Sequence, residues 1–72
     1  MVMGEYVRAY TKLKVHYHLC DENGKQLTGR RQRYVTVKGN GSETAAAVEV
    51  KKYYMNDKPN AHVIVEAIEV IG

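Results

Sequence analysis

A single cysteine, Cys20, leaves the chain of 72 residues without an intrachain disulfide, so a domain this short must rest on its own core or on a partner chain. Long apolar runs are missing as well. Nothing approaches the roughly 20 residues needed to span a bilayer, and Met1-Val2-Met3-Gly4-Glu5 has neither the basic start nor the apolar stretch of a secretion signal. These absences predict a cytoplasmic protein with no membrane partner. Catalytic signatures are scarce too. Gly39-Asn40-Gly41-Ser42 is too short, and lacks the lysine, for a phosphate-cradling loop. No Ser/His/Asp or Cys/His arrangement stands out. The expectation is a non-enzymatic protein with no catalytic residue and no cofactor. His16, His18 and Cys20 share one strand parity, but His62 is the only other histidine and no second cluster completes a coordination shell, so no metal site is expected.

What is present is the composition of one small globular domain spanning residues 1–72, 44% hydrophobic and 26% charged. Its charge is unevenly placed. Residues 6–38 hold eight Lys/Arg against two acids, a balance of +6, whereas residues 39–72 hold three against five, a balance of −2. With Glu5 the total is +3. Such asymmetry between halves suggests an anionic partner more strongly than the total does.

From Tyr6 to Cys20 the chain alternates, with Val7, Ala9, Thr11, Leu13, Val15, Tyr17 and Leu19 on one parity and mainly basic and aromatic residues on the other. Period two over this length means a strand with one buried face. Asp21-Glu22-Asn23-Gly24-Lys25 is a hairpin signal, and Gln26–Lys38, rich in Thr, Tyr and Val, reads as its second strand. Parity selects a three-residue loop, Glu22-Asn23-Gly24 with Gly24 left-handed. Asp21 then pairs with Lys25, Leu19 faces Leu27, Thr11 faces Val35 and Ala9 faces Val37. The basic hairpin thus covers residues 6–38.

Gly39-Asn40-Gly41 breaks the second strand, and Ser42 is a good N-cap with Glu43 suited to the positive end of a helix. Ala46, Ala47, Val50, Tyr53 and Tyr54 recur at helical spacing, leaving Glu43, Glu49, Lys51 and Lys52 for solvent. The helix should occupy residues 42–56 and end before Pro59. A third strand follows over residues 62–71. The expected fold is α+β, in the order ββαβ: a three-stranded mixed sheet of order 2-1-3, with the helix packed on one face and the third strand parallel to the second.

The face away from the helix should then collect Arg8, Tyr10, Lys12, Lys14, His16 and His18 from the first strand, with Arg30, Gln32, Tyr34, Thr36 and Lys38 from the second. Cations interleaved with tyrosines on adjacent strands have the chemistry of a nucleic-acid platform, single strands favoured: lysines and arginines meet phosphates and flat rings stack bases. Arg8, Lys12, Lys14 and Arg30 are the expected phosphate contacts and Tyr10 and Tyr34 the stacking residues. His16 joins the same face, and Arg31 and Arg33 extend the positive field from beyond the edge of the helix. The third strand is apolar on both parities, with Ile64, Ile68 and Val70 on one and Val63, Val65, Ala67 and Ile71 on the other. Such a pattern calls for cover on both faces. It supports a rival reading, a homodimeric protein-interaction module or inhibitor. That module would use Ile64, Val65, Ile68 and Val70 as its interface and meet an acidic protein surface with its basic side.

Residues from about Tyr17 to Tyr54, with Asp21-Glu22-Asn23-Gly24-Lys25, a basic second strand and Ser42-Glu43-Thr44-Ala45-Ala46 opening a helix, resemble the small arm-type DNA-binding domain of phage integrases. The resemblance implies a sheet backed by one helix that reads DNA, and a phage or mobile-element origin. The strand after the helix is an addition that the family does not need.

Overall fold

The computed structural model describes residues 9–72, so Arg8 and the start of the expected first strand lie outside the described residues. Five elements follow in order: β1 (Tyr10–Cys20), β2 (Arg31–Lys38), α1 (Glu43–Lys51), a 3-10 turn (Lys52–Tyr54) and β3 (His62–Val70). The strands form one sheet of order β2-β1-β3. This is the expected ββαβ fold with the long first strand at its centre. The sheet is antiparallel throughout rather than mixed, because β3 runs parallel to β2 but pairs only with β1.

The hairpin turn forms as the loop-length argument requires. Gly24 has φ +87°, a conformation that costs a side-chain-bearing residue about 1–2 kcal/mol. Asp21 Oδ1 accepts hydrogen bonds from the amides of Asn23 at 2.9 Å and Lys25 at 2.8 Å. Asp21 N donates to Lys25 O, and Leu27 N to Leu19 O. Pairing then lapses. The Leu19 amide donates to Thr28 Oγ1 instead of to a strand carbonyl, and the ladder resumes only at Tyr17–Arg31. The second strand therefore starts at Arg31 rather than Gln26. The pairing resumes two residues out of the expected register, with Thr11 opposite Val37 and Leu13 opposite Val35. A slip of two preserves parity, so every side chain keeps its expected face.

Ser42 caps α1 as its sequence suggests, its hydroxyl accepting from Ala45 N at 3.1 Å. Gly41 before it is required: its φ is +84°, and a Cβ there would come within 3.3 Å of Leu13. The α-helix is shorter than expected and tightens into the 3-10 turn, which buries Tyr54 but leaves Tyr53 exposed rather than in the core. Lys51 is also not free in solvent. Its ammonium donates to Pro59 O at 3.0 Å and to Ala61 O, tying the helix end to the loop that enters β3.

Leu13, Val15, Tyr17, Leu19, Val35 and Val37 from the sheet meet Ala46, Val50 and Tyr54 in a single core. Each large side chain buried here contributes roughly 1.5–3 kcal/mol. The double apolar parity of β3 has its explanation in a β-bulge. His16 pairs with Ala67 but Tyr17 pairs with Val65, so Glu66 is the extra residue. The bulge reverses parity along the strand. Val63 and Val65 before it and Ile68 after it all pack toward the helix-side core.

Candidate nucleic-acid interface

Alternation along β1 and the cross-strand pairs define the open face. It carries Tyr10, Lys12, Lys14, His16 and His18, flanked by Lys38, Thr36, Tyr34 and Gln32 from β2. On the other side of β1 stand Glu69, Ala67 and Ile64, with the bulged Glu66 reaching the same face. The bulge thus sets two carboxylates beside the basic central strand, and the face divides.

At the end of the sheet nearest the hairpin turn, positive charge is neutralised. His16 Nε2 donates to Glu69 Oε2 at 2.5 Å, and His18 Nδ1 to Glu66 Oε2 at 2.7 Å. Arg30 Nε lies 3.5 Å from Glu66 Oε1. The hydrogen bond from His16, aided by the nearby charge of Lys14, holds the Glu69 carboxyl below its ordinary value. His16 and Arg30 are therefore engaged within the protein rather than free for phosphates.

At the opposite end the cations are open. Tyr10 is 60% and Tyr34 62% exposed, and each tyrosine stands directly across the ladder from a lysine: Tyr10 from Lys38 and Tyr34 from Lys14. The Lys14 ammonium sits 6.0 Å from the centre of the Tyr34 ring, within cation–π reach. Lys12 lies between the two pairs, opposite Thr36. Among the described residues, no carboxylate lies within 4.0 Å of Lys12, Lys14 or Lys38. Lys38 belongs to this group as fully as the expected Lys12 and Lys14. Its position opposite Tyr10 depends on the two-residue shift in pairing.

Arg31 and Arg33 do not join this face. They point to the helix side of β2, where Arg31 Nη1 donates to Tyr54 Oη at 3.2 Å and the Arg33 guanidinium lies 4.0 Å from the centre of the Tyr53 ring. Behind them the hydroxyls of Tyr17 and Tyr54 share a buried hydrogen bond of 2.6 Å, their rings 6.2 Å apart and edge to face. Burial, then the bond to Tyr54, pushes the Tyr17 phenol up. Burial also acts to raise Tyr54, but its bonds with Tyr17 and Arg31 and the proximity of Arg33 outweigh it and lower the phenol. Either hydroxyl can be the donor in this bond. This cluster escaped the sequence reading, in which Tyr17 and Tyr54 were simply apolar-parity positions; two tyrosine hydroxyls and the ring of Tyr53 meeting two arginines arise only from packing.

The expected partner interface is also divided. Val65 and Ile68 are part-buried against the core, Ile64 lies on the opposite face at 41% exposed, and Val70 stands at the strand end at 57% exposed. A shallow groove of about 680 Å³ between the end of α1 and the start of β3 is lined by Val48, Met55, Pro59 and Val63. Among the described residues no group of His, Cys, Asp or Glu side chains is arranged to hold a metal ion, and Cys20 is a buried free thiol. The chain matches no family model, no curated protein and no solved structure.

Proposed function

We propose that this domain is a nucleic-acid-binding module that holds single strands on the open face of its sheet, through Tyr10, Lys12, Lys14, Tyr34 and Lys38. The observation that carries the reading is the pairing of two exposed rings with lysines across one ladder. A ring flanked by an ammonium can stack a base while the cation meets the adjoining phosphate, and base stacking on an aromatic contributes about 1–3 kcal/mol per base. Three lysines free of internal ion pairs supply the backbone contacts. Nothing in this mode of binding requires chemistry on the substrate, so the domain acts as a binder and not as an enzyme. No described helix is long and apolar enough to cross a membrane, and the reading assigns the protein to cytoplasmic nucleic acid. The rival dimer reading draws less support, because the bulge turns Val63, Val65 and Ile68 to the core and leaves Ile64 and Val70 as the exposed remainder of the expected interface.

Fluorescence anisotropy with a short labelled oligothymidylate tests the proposal. Three phosphate contacts give a slope of log affinity against log salt of about −2, at roughly 0.7 per phosphate for single strands. Tyr34→Ala and Tyr10→Ala should each weaken binding about tenfold, and Lys14→Glu should flatten the salt slope. Salt-insensitive self-association with no oligonucleotide bound would overturn the reading in favour of the protein-interaction module.

A further inference from the structure

We propose that Arg31, Arg33 and the Tyr54 hydroxyl form a second binding site, for a phosphate-type oxyanion, on the helix side of the β2 edge. The two arginines are two residues apart on one strand face, roughly 7 Å along the chain, close enough for both guanidinium forks to reach one tetrahedral ligand. Both are charged at any working pH, yet among the described residues neither has a carboxylate within 4.0 Å. Glu49 on the neighbouring helix is held by Lys52 at 2.9 Å. Arg33 is already fixed in orientation by its stack on Tyr53 and by the Tyr17 and Tyr54 hydroxyls beside its guanidinium, while its buried Nε makes no hydrogen bond. An unmet buried donor is unfavourable and marks the place of an acceptor.

Tyr54 supplies the third group. Its oxygen accepts from Arg31 and shares a hydrogen bond with the Tyr17 hydroxyl, so when Tyr17 donates in that bond the Tyr54 proton is available to a ligand. β2 is an edge strand and Arg31 is exposed, which opens the site to solvent. Two planar forks and a hydroxyl converging from different elements suit an oxyanion with several oxygens better than a carboxylate with two. The site lies on the opposite side of the sheet from the tyrosine–lysine platform, and stands whether or not that platform binds nucleic acid.

The probe is inorganic phosphate, titrated to about 20 mM at constant ionic strength, a range that covers millimolar affinities. The readout is the side-chain Nε–Hε resonances of Arg31 and Arg33 in a nitrogen–proton correlation spectrum. The expected result is a saturable shift at Arg33. Arg33→Lys, which keeps the charge but loses the fork, and Tyr54→Phe should each weaken binding about tenfold with the circular dichroism unchanged. No saturable shift, or full affinity in whichever of these variants folds, would overturn the site. A second titration with oligothymidylate distinguishes the source. A shift at Arg33 assigns the phosphate to a nucleic-acid backbone that wraps the β2 edge, and a response to inorganic phosphate alone assigns it to a free phosphate or monoester; both sustain the site. Tyr34→Ala should leave the inorganic phosphate titration unchanged, so failure of the platform and failure of this site remain separable.

Discussion

Glu69 shows how one carboxylate can serve stability while it sets negative charge beside the basic central strand. Its hydrogen bond with His16 lowers its pKa in the folded chain below the ordinary value of 4.5. A depressed carboxyl stabilises the fold at pH above its unfolded value and loses that contribution as pH falls through the folded one. The stability of the protein should therefore decline below about pH 4.5 more steeply than that of Glu69→Gln, a comparison made by urea denaturation across pH 2.5–6. Parallel curves would show that the pair contributes nothing. The buried Tyr17 hydroxyl makes a different prediction. Tyr17→Phe removes the 2.6 Å bond but leaves Tyr54 its bond from Arg31, so the loss should be about 1 kcal/mol, the ordinary net worth of one such bond. At this scale the sequence was least informative. The alternation placed Lys12, Lys14, Tyr10 and Tyr34 on one face, but it could not reveal that Glu66 and Glu69, some 50 residues later, would claim His18 and His16. Nor could it separate Arg31 and Arg33 from the other cations by what their guanidinium groups touch.

The elements themselves follow from local chemistry wherever a single residue dominates. Ser42 opens α1 and Gly24 turns the hairpin, as their side-chain properties require. Misreadings occur where pairing decides instead. The strand propensity of residues 26–30 yields to the Thr28 hydroxyl, which takes the Leu19 amide and breaks the ladder. The bulge in β3 is the sharper case. The double apolar parity is legible in the sequence as an anomaly, but only the register against β1 resolves it, with Glu66 as the unpaired residue. Deleting Glu66 should only straighten the ladder, since Val65 and Ala67 already face the consecutive residues Tyr17 and His16. Inserting an alanine between Ala67 and Ile68, in contrast, should slip the rest of the strand by one position, turn Ile68 out to the open face and bring Glu69 inward. We expect a loss of more than about 2 kcal/mol, the order of one large apolar side chain withdrawn from the core with a carboxylate put near it. Glu66→Ala keeps the bulge and gives up only part-exposed ion pairs, so it should cost less than about 1 kcal/mol. Equal losses from the insertion and from Glu66→Ala in chemical denaturation would mean that the register after the bulge does not hold Ile68 in the core.

Across the described residues, one helix covers one face of the three-stranded sheet, and the charges of the other face fall into two territories. The order of the strands causes this: central β1 and edge β2 come from the basic half of the chain, whereas the opposite edge, β3, comes from the acidic half. The charge asymmetry seen along the sequence is thereby converted into an asymmetry across one surface. Glu69 stands at the boundary, directly across the ladder from Lys14. If nucleic acid lies on the platform, Glu69 repels it from a position adjacent to the contact, and Glu69→Gln should tighten oligothymidylate binding several-fold at about 50 mM salt, where the Debye length is longer than 10 Å. The gain should shrink at about 300 mM as screening shortens that reach. Asp57→Asn, which makes the same change in net charge in the loop after the helix, provides the comparison. A matching gain there would show that only total charge matters and that the open face is not the contact surface; a gain confined to Glu69→Gln would locate the bound strand along the Lys14–Tyr34 end of the sheet.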